Sequence, residues 1–246
     1  MSQAEIVIIV SAGTEWGAIR ELYPDVAYSS SPFGEWFFFK TDAGLRAVGA
    51  VFFQGGWGKI SAAASTQYAI DRWKPVLIIN LGTCGGFLGK IAPDTIVIAK
   101  RTLVYDIIDQ MLNPDEALHF YTTDLDISWL SRPLYEREYR GVLVSADRDI
   151  ISAEIPTLAS KYGAVAADWE SGAIAWVSAR NGIDCVVVRG VTDLVGPEGG
   201  EAYGGNSHVF AQNARRMMRY LIGHLDDLLK QWFMKRKSGT INGVNK

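Results

Sequence analysis

Cys185-Val-Val-Val-Arg189-Gly-Val-Thr-Asp193-Leu-Val-Gly196 is the stretch on which the reading of this chain turns. Its three consecutive valines form an unbroken apolar run, the pattern of a strand buried on both faces of a parallel sheet. The run delivers Arg189 and then Thr192-Asp193 to the strand's carboxyl end. In open α/β sheets ligands bind outside that edge. Asp193 is therefore a candidate acid or base, although a lone Asp at a strand end serves equally well to cap a turn or a helix.

Working outward from this strand, short apolar runs alternate with helical patterns along the whole chain. Strands are expected at 6–10, 36–40, 46–53, 75–81, 95–101, 140–145 and 164–168, the second and third joined by the Asp42-Ala-Gly44 turn. Helices are expected at 15–22, 59–73, 156–162 and 170–180, the last stopped by Asn181-Gly182, with one long helix over 208–232. The stretch 105–124 is polar and irregular. Alternation of this kind predicts a three-layer α/β/α fold around a central, mostly parallel mixed sheet. No linker or repeat divides the chain, so one domain is expected over 1–232, with a flexible tail over 233–246.

Composition removes several function classes. A formal net charge of −3 leaves no basic footprint for nucleic acid. No apolar run is long enough to span a membrane, and the first residues lack the pattern of a signal peptide, so a cytoplasmic location is expected. Cys84 and Cys185 both sit in apolar contexts, as buried free thiols do. Three histidines, none at a ligand spacing from another, make a metal site unexpected.

Four predicted strand ends carry polar or glycine-rich residues. The first, Ser11-Ala-Gly-Thr-Glu15, places a carboxylate in a first helical turn, where it suits the helix dipole or serves as a general base. The second, Gly82-Thr-Cys-Gly-Gly86, permits close backbone approach to a ligand and equally makes a plain tight turn. It lacks the spacing of dinucleotide and triphosphate loops. The third, Asp168-Trp-Glu170, offers a carboxylate that can accept bonds from two vicinal hydroxyls. The fourth is Thr192-Asp193, with Arg189 four residues earlier and so on the same strand face.

Together these segments resemble the nucleoside phosphorylase/nucleosidase superfamily, and within it the methylthioadenosine/S-adenosylhomocysteine nucleosidases. The matching pieces run in order: Ile8-Ile-Val-Ser-Ala-Gly-Thr-Glu15, Gly56-Trp-Gly-Lys59, Ile79-Asn-Leu-Gly-Thr-Cys-Gly-Gly86, Val144-Ser-Ala-Asp147, Asp168-Trp-Glu-Ser-Gly-Ala-Ile-Ala175 and Val187-Val-Arg-Gly-Val-Thr-Asp193. The resemblance implies a purine nucleoside N-ribosyl hydrolase that needs no cofactor and works as a homodimer. It implies that Asp193 donates a proton to N7 of the departing base, supported by Thr192 and Arg189. It implies Glu15 as the water activator, Glu170 as the holder of the ribose hydroxyls, and Gly82, Thr83 and the backbone at Ile150 as substrate contacts.

Related phosphorylases carry an arginine for phosphate two residues before the glycine turn, and this chain has Asn80 there. That favours water as the nucleophile, while Lys59 and Arg20 keep a phosphorylase as the alternative. A catalytically silent nucleoside-binding protein is the third reading. Three places depart from the family pattern: Trp169 stands where Met is usual, offering an indole face to a ribosyl cation, Asp149 replaces an apolar residue beside the base, and Val104-Tyr105-Asp106, with the stretch after it, stands where bacterial members read Tyr-His-Asp.

Overall fold

The computed structural model describes residues 4–42, 47–111 and 113–241. In chain order the first half contains β1 (Ile6–Val10), α1 (Gly13–Leu22), β2 (Ser29–Ser30), β3 (Glu35–Asp42), β4 (Ala47–Gln54), α2 (Gly58–Trp73), β5 (Leu77–Phe87) and β6 (Ile96–Val104). The second half contains α3 (Pro114–Phe120), β7 (Thr122–Asp124), β8 (Glu138–Ser145), α4 (Ile155–Tyr162), β9 (Ala164–Asp168), α5 (Ser171–Arg180), β10 (Asp184–Gly196), β11 (Gly199–Gly200), α6 (Ser207–Gly223) and α7 (Leu225–Ile241). Among the described residues no helix is long and apolar enough to cross a membrane.

The continuous apolar runs are buried on both faces because helices cover both. Ile6, Ile8 and Val10 of β1 pack with α1, α6 and α7. Val7 and Ile9 point the other way and pack with α2 and α5. The same alternation splits Val186 and Val188 from Val187 on β10. The sheet is mixed. Its central pairings β4–β1–β5–β10 and β6–β8–β9 are parallel, whereas β2–β3, β3–β4, β10–β6, β5–β9, β6–β7 and β10–β11 are antiparallel. Because β5 pairs with β9 near its end and with β10 along its length, the ladder β5–β10–β6–β8–β9 closes on itself.

That closure corrects two sequence expectations. Gly82–Gly86 is not a turn: β5 runs on to Phe87, and β10 likewise continues past Thr192 to Gly196. The glycines instead let side chains of β10 cross the strand. A Cβ on Gly82 would lie 1.9 Å from Arg189 Nη1, and one on Gly86 would lie 2.7 Å from Val191 Cγ1. Gly82→Ala must therefore displace a buried guanidinium, and thermal melting should show a loss of about 1–3 kcal/mol. An unchanged melting point would mean that Arg189 moves freely.

Other boundaries shift for local reasons. The long C-terminal helix is two, α6 and α7, broken at Gly223-His224. Glycine is a poor helix former, and the His224 ring, rather than its backbone N–H, meets the Tyr220 carbonyl at 2.8 Å. α7 carries Trp232 and Phe233 into the core and extends to Ile241, so the expected boundary at 233 falls within α7. Residues 242–246 lie outside the described residues, as does the expected 42–44 turn from residue 43 on. The stretch 105–124 contains α3 and β7. Both cysteines are free and buried.

Candidate active site

The carboxyl ends of β1, β5, β9 and β10 converge on one cavity of about 790 Å³. Its wall includes Ala12 and the first turn of α1 through Glu15, Thr83–Gly85, Asp168–Glu170, Thr192-Asp193, Arg148–Ile150 after β8, and Trp57 at the start of α2. Of the residues expected at the site, Asp193, Glu15, Glu170, Trp169, Thr83, Ile150 and Thr192 all line it. Gly82 and Arg189 do not.

Arg189 is 1% exposed and lies behind the carboxylates. Its Nε is 2.8 Å from Asp168 Oδ2 and 2.9 Å from Ser171 Oγ, and its Nη2 donates to Asn80 Oδ1 at 2.8 Å. Glu15 Oε1 stands 3.9 Å and Glu170 Oε2 3.7 Å from the same guanidinium. The expected support of Asp193 by Arg189 is thus corrected. The register of β10 against β5 shifts between Val191 and Asp193, so Thr192 is an extra residue. A bulge of one residue reverses the alternation of side chains. Arg189 therefore faces Gly82 and Glu15, while the nearest contacts to a Cβ on Gly85 are Ile150 and Asp193.

Thr192 supplies the local partner of Asp193, its hydroxyl donating to Oδ1 at 2.8 Å. Burial raises the Asp193 carboxyl above its ordinary range; the Thr192 bond opposes this, and the charges of Glu201 and Asp149 add to it. At the other end, Glu15 Oε1 accepts from the Thr83 amide at 2.6 Å and the Thr83 hydroxyl at 2.7 Å. Burial raises Glu15 as well, against the pull of Arg189 and these two bonds. Glu170 is raised chiefly by burial, with Arg189 opposing and Asp168 and Glu15 reinforcing. Its Oε1 accepts the backbone N–H of Gly58 at 3.1 Å, which ties it to the start of α2.

Sequence reasoning did not assign the frame behind these groups. Asp168 accepts from Ser145 Oγ at 2.6 Å and from the Ser171 hydroxyl, and it pairs with Arg189. Asn80 anchors the same arginine and donates to the Ile9 carbonyl at 3.1 Å. Tyr203 donates to the Ile150 carbonyl at 3.3 Å and closes the wall on the Asp193 side. Trp57 stacks on Trp169 with ring centroids 4.9 Å apart. Asn80, Ser145, Asp168 and Ser171 each lie at or near a predicted strand end, which was the available signal for the frame, but only the fold shows that they meet around one arginine.

Few cations face the cavity. Lys59 is held by Asp106 and Asp147. Arg20 pairs with Glu35 at the surface and is not part of the wall. Arg148 lines the cavity, with its Nη2 bonded to both oxygens of Glu154 at 2.9 Å.

A nucleosidase of Geobacillus kaustophilus named for 5′-methylthioadenosine and S-adenosylhomocysteine is 23% identical over 209 residues, covering 76% of this chain and 83% of that one. A namesake from Buchnera aphidicola is 23% identical over 188 residues, covering 71% and 80%. Among solved structures, the S. pneumoniae nucleosidase of that name, bound to a transition-state inhibitor, superposes with a TM-score of 0.70 at 17% identity, covering 92% of this chain and 99% of that one. The Neisseria meningitidis nucleosidase with methylthio-immucillin-A gives 0.70 at 19% identity, covering 92% and 98%. The family model of the phosphorylase superfamily matches residues 5–225, and the chain belongs to that superfamily.

Proposed function

We propose that this chain is a purine nucleoside N-ribosyl hydrolase that releases adenine from 5′-methylthioadenosine, S-adenosylhomocysteine or a close relative. The observation that carries the reading is that two buried carboxyl groups with different partners, Asp193 and Glu15, line one cavity. Asp193 lies beside Ile150 and Tyr203, and Glu15 is clamped by Thr83. The names of the relatives support the substrate class.

In this reading the base lies against Asp193 and the sugar against Glu170. Burial and neighbouring acids raise Asp193 and so favour its protonated form, which donates its proton to N7 as the glycosidic bond breaks. The electron pair of that bond leaves with the base, because a neutral purine departs more readily than its anion. Glu170 accepts the ribose hydroxyls, and the indole of Trp169 faces the positive charge that develops on the sugar. Glu15 takes a proton from the water that attacks the anomeric carbon. Burial raises this carboxyl and so strengthens it as a base, while the Arg189 charge and the Thr83 bonds pull it back toward the ionised form.

Water is favoured over phosphate because Lys59 is held by Asp106 and Asp147, Arg20 lies outside the wall, and Arg148, which lines it, pairs with Glu154. A phosphate clamp needs donors that face the nucleophile. Asn80 fills the position of the phosphorylase arginine and draws Arg189 behind the carboxylates. Incubation of 5′-methylthioadenosine with and without phosphate should give the free pentose in both cases, at similar rates. A pentose 1-phosphate product would establish the phosphorylase instead. We also infer a single domain on a three-layer α/β/α frame with a mostly parallel central sheet, a cytoplasmic location and a homodimeric assembly serving methionine salvage. Sedimentation tests the last of these structural features.

A further inference from the structure

The bulge that aims Asp193 lies in a gap of the sheet. On one edge of β10, Val191 pairs with Cys84 and Asp193 with Gly85 of β5, so Thr192 has no partner there. On the other edge β10 pairs with β6 through residues 188–190 and with β11 at Val195 and Gly196. Among the described residues no strand flanks 191–194 on that side. Backbone groups in such a gap still need partners, because a buried carbonyl left unpaired is costly.

The partners come from outside the sheet. The Asp94 N–H donates to the Val191 carbonyl at 3.1 Å, in a loop where Asp94 adopts φ +61. Glu201 closes the far side, its Oε2 accepting the Leu194 N–H at 2.9 Å. Between them a side chain meets the bulged residue itself: Asn213 of α6 donates from Nδ2 to the Thr192 carbonyl at 2.9 Å. Arg216, almost one turn further along α6, pairs with Asp94 at 2.7 Å and donates to Asn213 Oδ1 at 3.4 Å. That bond turns the amide so that its N–H faces the strand.

The Thr192 carbonyl belongs to the peptide that carries the Asp193 nitrogen. A peptide is planar, so holding its oxygen fixes the plane from which Asp193 departs. From the cavity side, the Thr192 hydroxyl holds the Asp193 carboxyl. Asn213 is not part of the cavity wall, so any effect it has on the chemistry must pass through Asp193.

We propose that Asn213 is a positioning residue for Asp193, its amide setting the direction in which the acid presents its proton to the base. The proposal rests on the nucleosidase reading for the task of Asp193. It extends that machinery to a side chain outside the cavity.

Two variants separate the hydrogen bond from packing. Asn213→Leu removes the amide. Asn213→Asp keeps the outline and has Arg216 as a counter-charge, but its ionised form has no N–H to donate. Each should lower kcat for 5′-methylthioadenosine by about thirtyfold and change KM by less than about twofold, since a small misplacement of a reacting group costs up to about a hundredfold. In the Asp193→Asn background either substitution should cost less than about twofold, because no proton remains to be aimed. The titration of the Asp193 carboxyl, followed by carbon NMR, needs no turnover. In Asn213→Leu it should fall toward the ordinary aspartate range, because a loosened carboxyl reaches water and loses part of the burial that raises it. Glu201 and Asp149, whose charges also raise it, are unaltered in that variant. Near-native kcat in both variants, an equal loss in both backgrounds, or an unmoved titration would overturn the role. Absence of base release from the unaltered chain, with the titration shifted in Asn213→Leu, would remove the hydrolase and leave the placement of Asp193 by Asn213 standing.

Discussion

Asp193→Asn should lower turnover of 5′-methylthioadenosine by about a thousandfold while the nucleoside dissociation constant changes little. The asparagine keeps the size of the side chain and an oxygen for the Thr192 hydroxyl, which donates to Oδ1 at 2.8 Å in the native chain. What it loses is the transferable proton. The pH profile separates this role from a structural one. Burial raises Asp193, with Glu201 and Asp149 reinforcing, so the protonated acid persists to higher pH than for an ordinary aspartate. Native activity should fall as pH rises through that raised value, because the ionised form has no proton to give. The residual activity of the variant should lack this limb. Near-native turnover in Asp193→Asn would remove the acid and with it the proposed mechanism.

Arg189→Leu should destabilise the fold by about 3–5 kcal/mol, because it strands carboxylates that share one buried counter-charge. Asp168 lies 2.8 Å from the guanidinium, with Glu170 and Glu15 at 3.7 and 3.9 Å. For a chain of this length, that corresponds to a melting point lower by roughly 10 °C. The pH dependence carries the diagnosis. Glu170 is raised from 4.5 to about 8 chiefly by burial, although Arg189 opposes the shift. A carboxyl whose folded value is raised holds its proton longer in the folded chain than in the unfolded one. The stability it contributes is complete below 4.5 and is lost as pH rises toward about 8. Removing Arg189 raises the group further and steepens that loss. The gap in melting temperature between native chain and variant should therefore be small at pH 5 and large at pH 8. A gap that does not vary with pH would assign the damage to lost packing instead.

The chemistry-bearing residues were legible because each lies next to a predicted strand end. Asp193, Glu15, Glu170 and Thr83 come from separate segments, and the closed sheet brings those segments to one cavity. Periodicity also located most elements, since the valine run and its counterparts at Ile6 and Leu77 are buried from both sides by helices. It misread the two longest strands. Glycines signal a turn locally, but Gly82 and Gly86 are required by side chains that cross from β10, which is far away in sequence.

The sequence by itself determined the class of fold, the edge at which the site lies and the residue types present there. Strand and helix periods and the ends of apolar runs are local properties, so they can be read from neighbouring residues alone. Only the tertiary structure decided which charge serves which group. One extra residue at Thr192 turns Asp193 away from Arg189 and gives that arginine to Asp168, Glu15 and Glu170. A bulge is defined by the register of two strands, about 100 residues apart here, and ion pairing follows distance in space rather than along the chain.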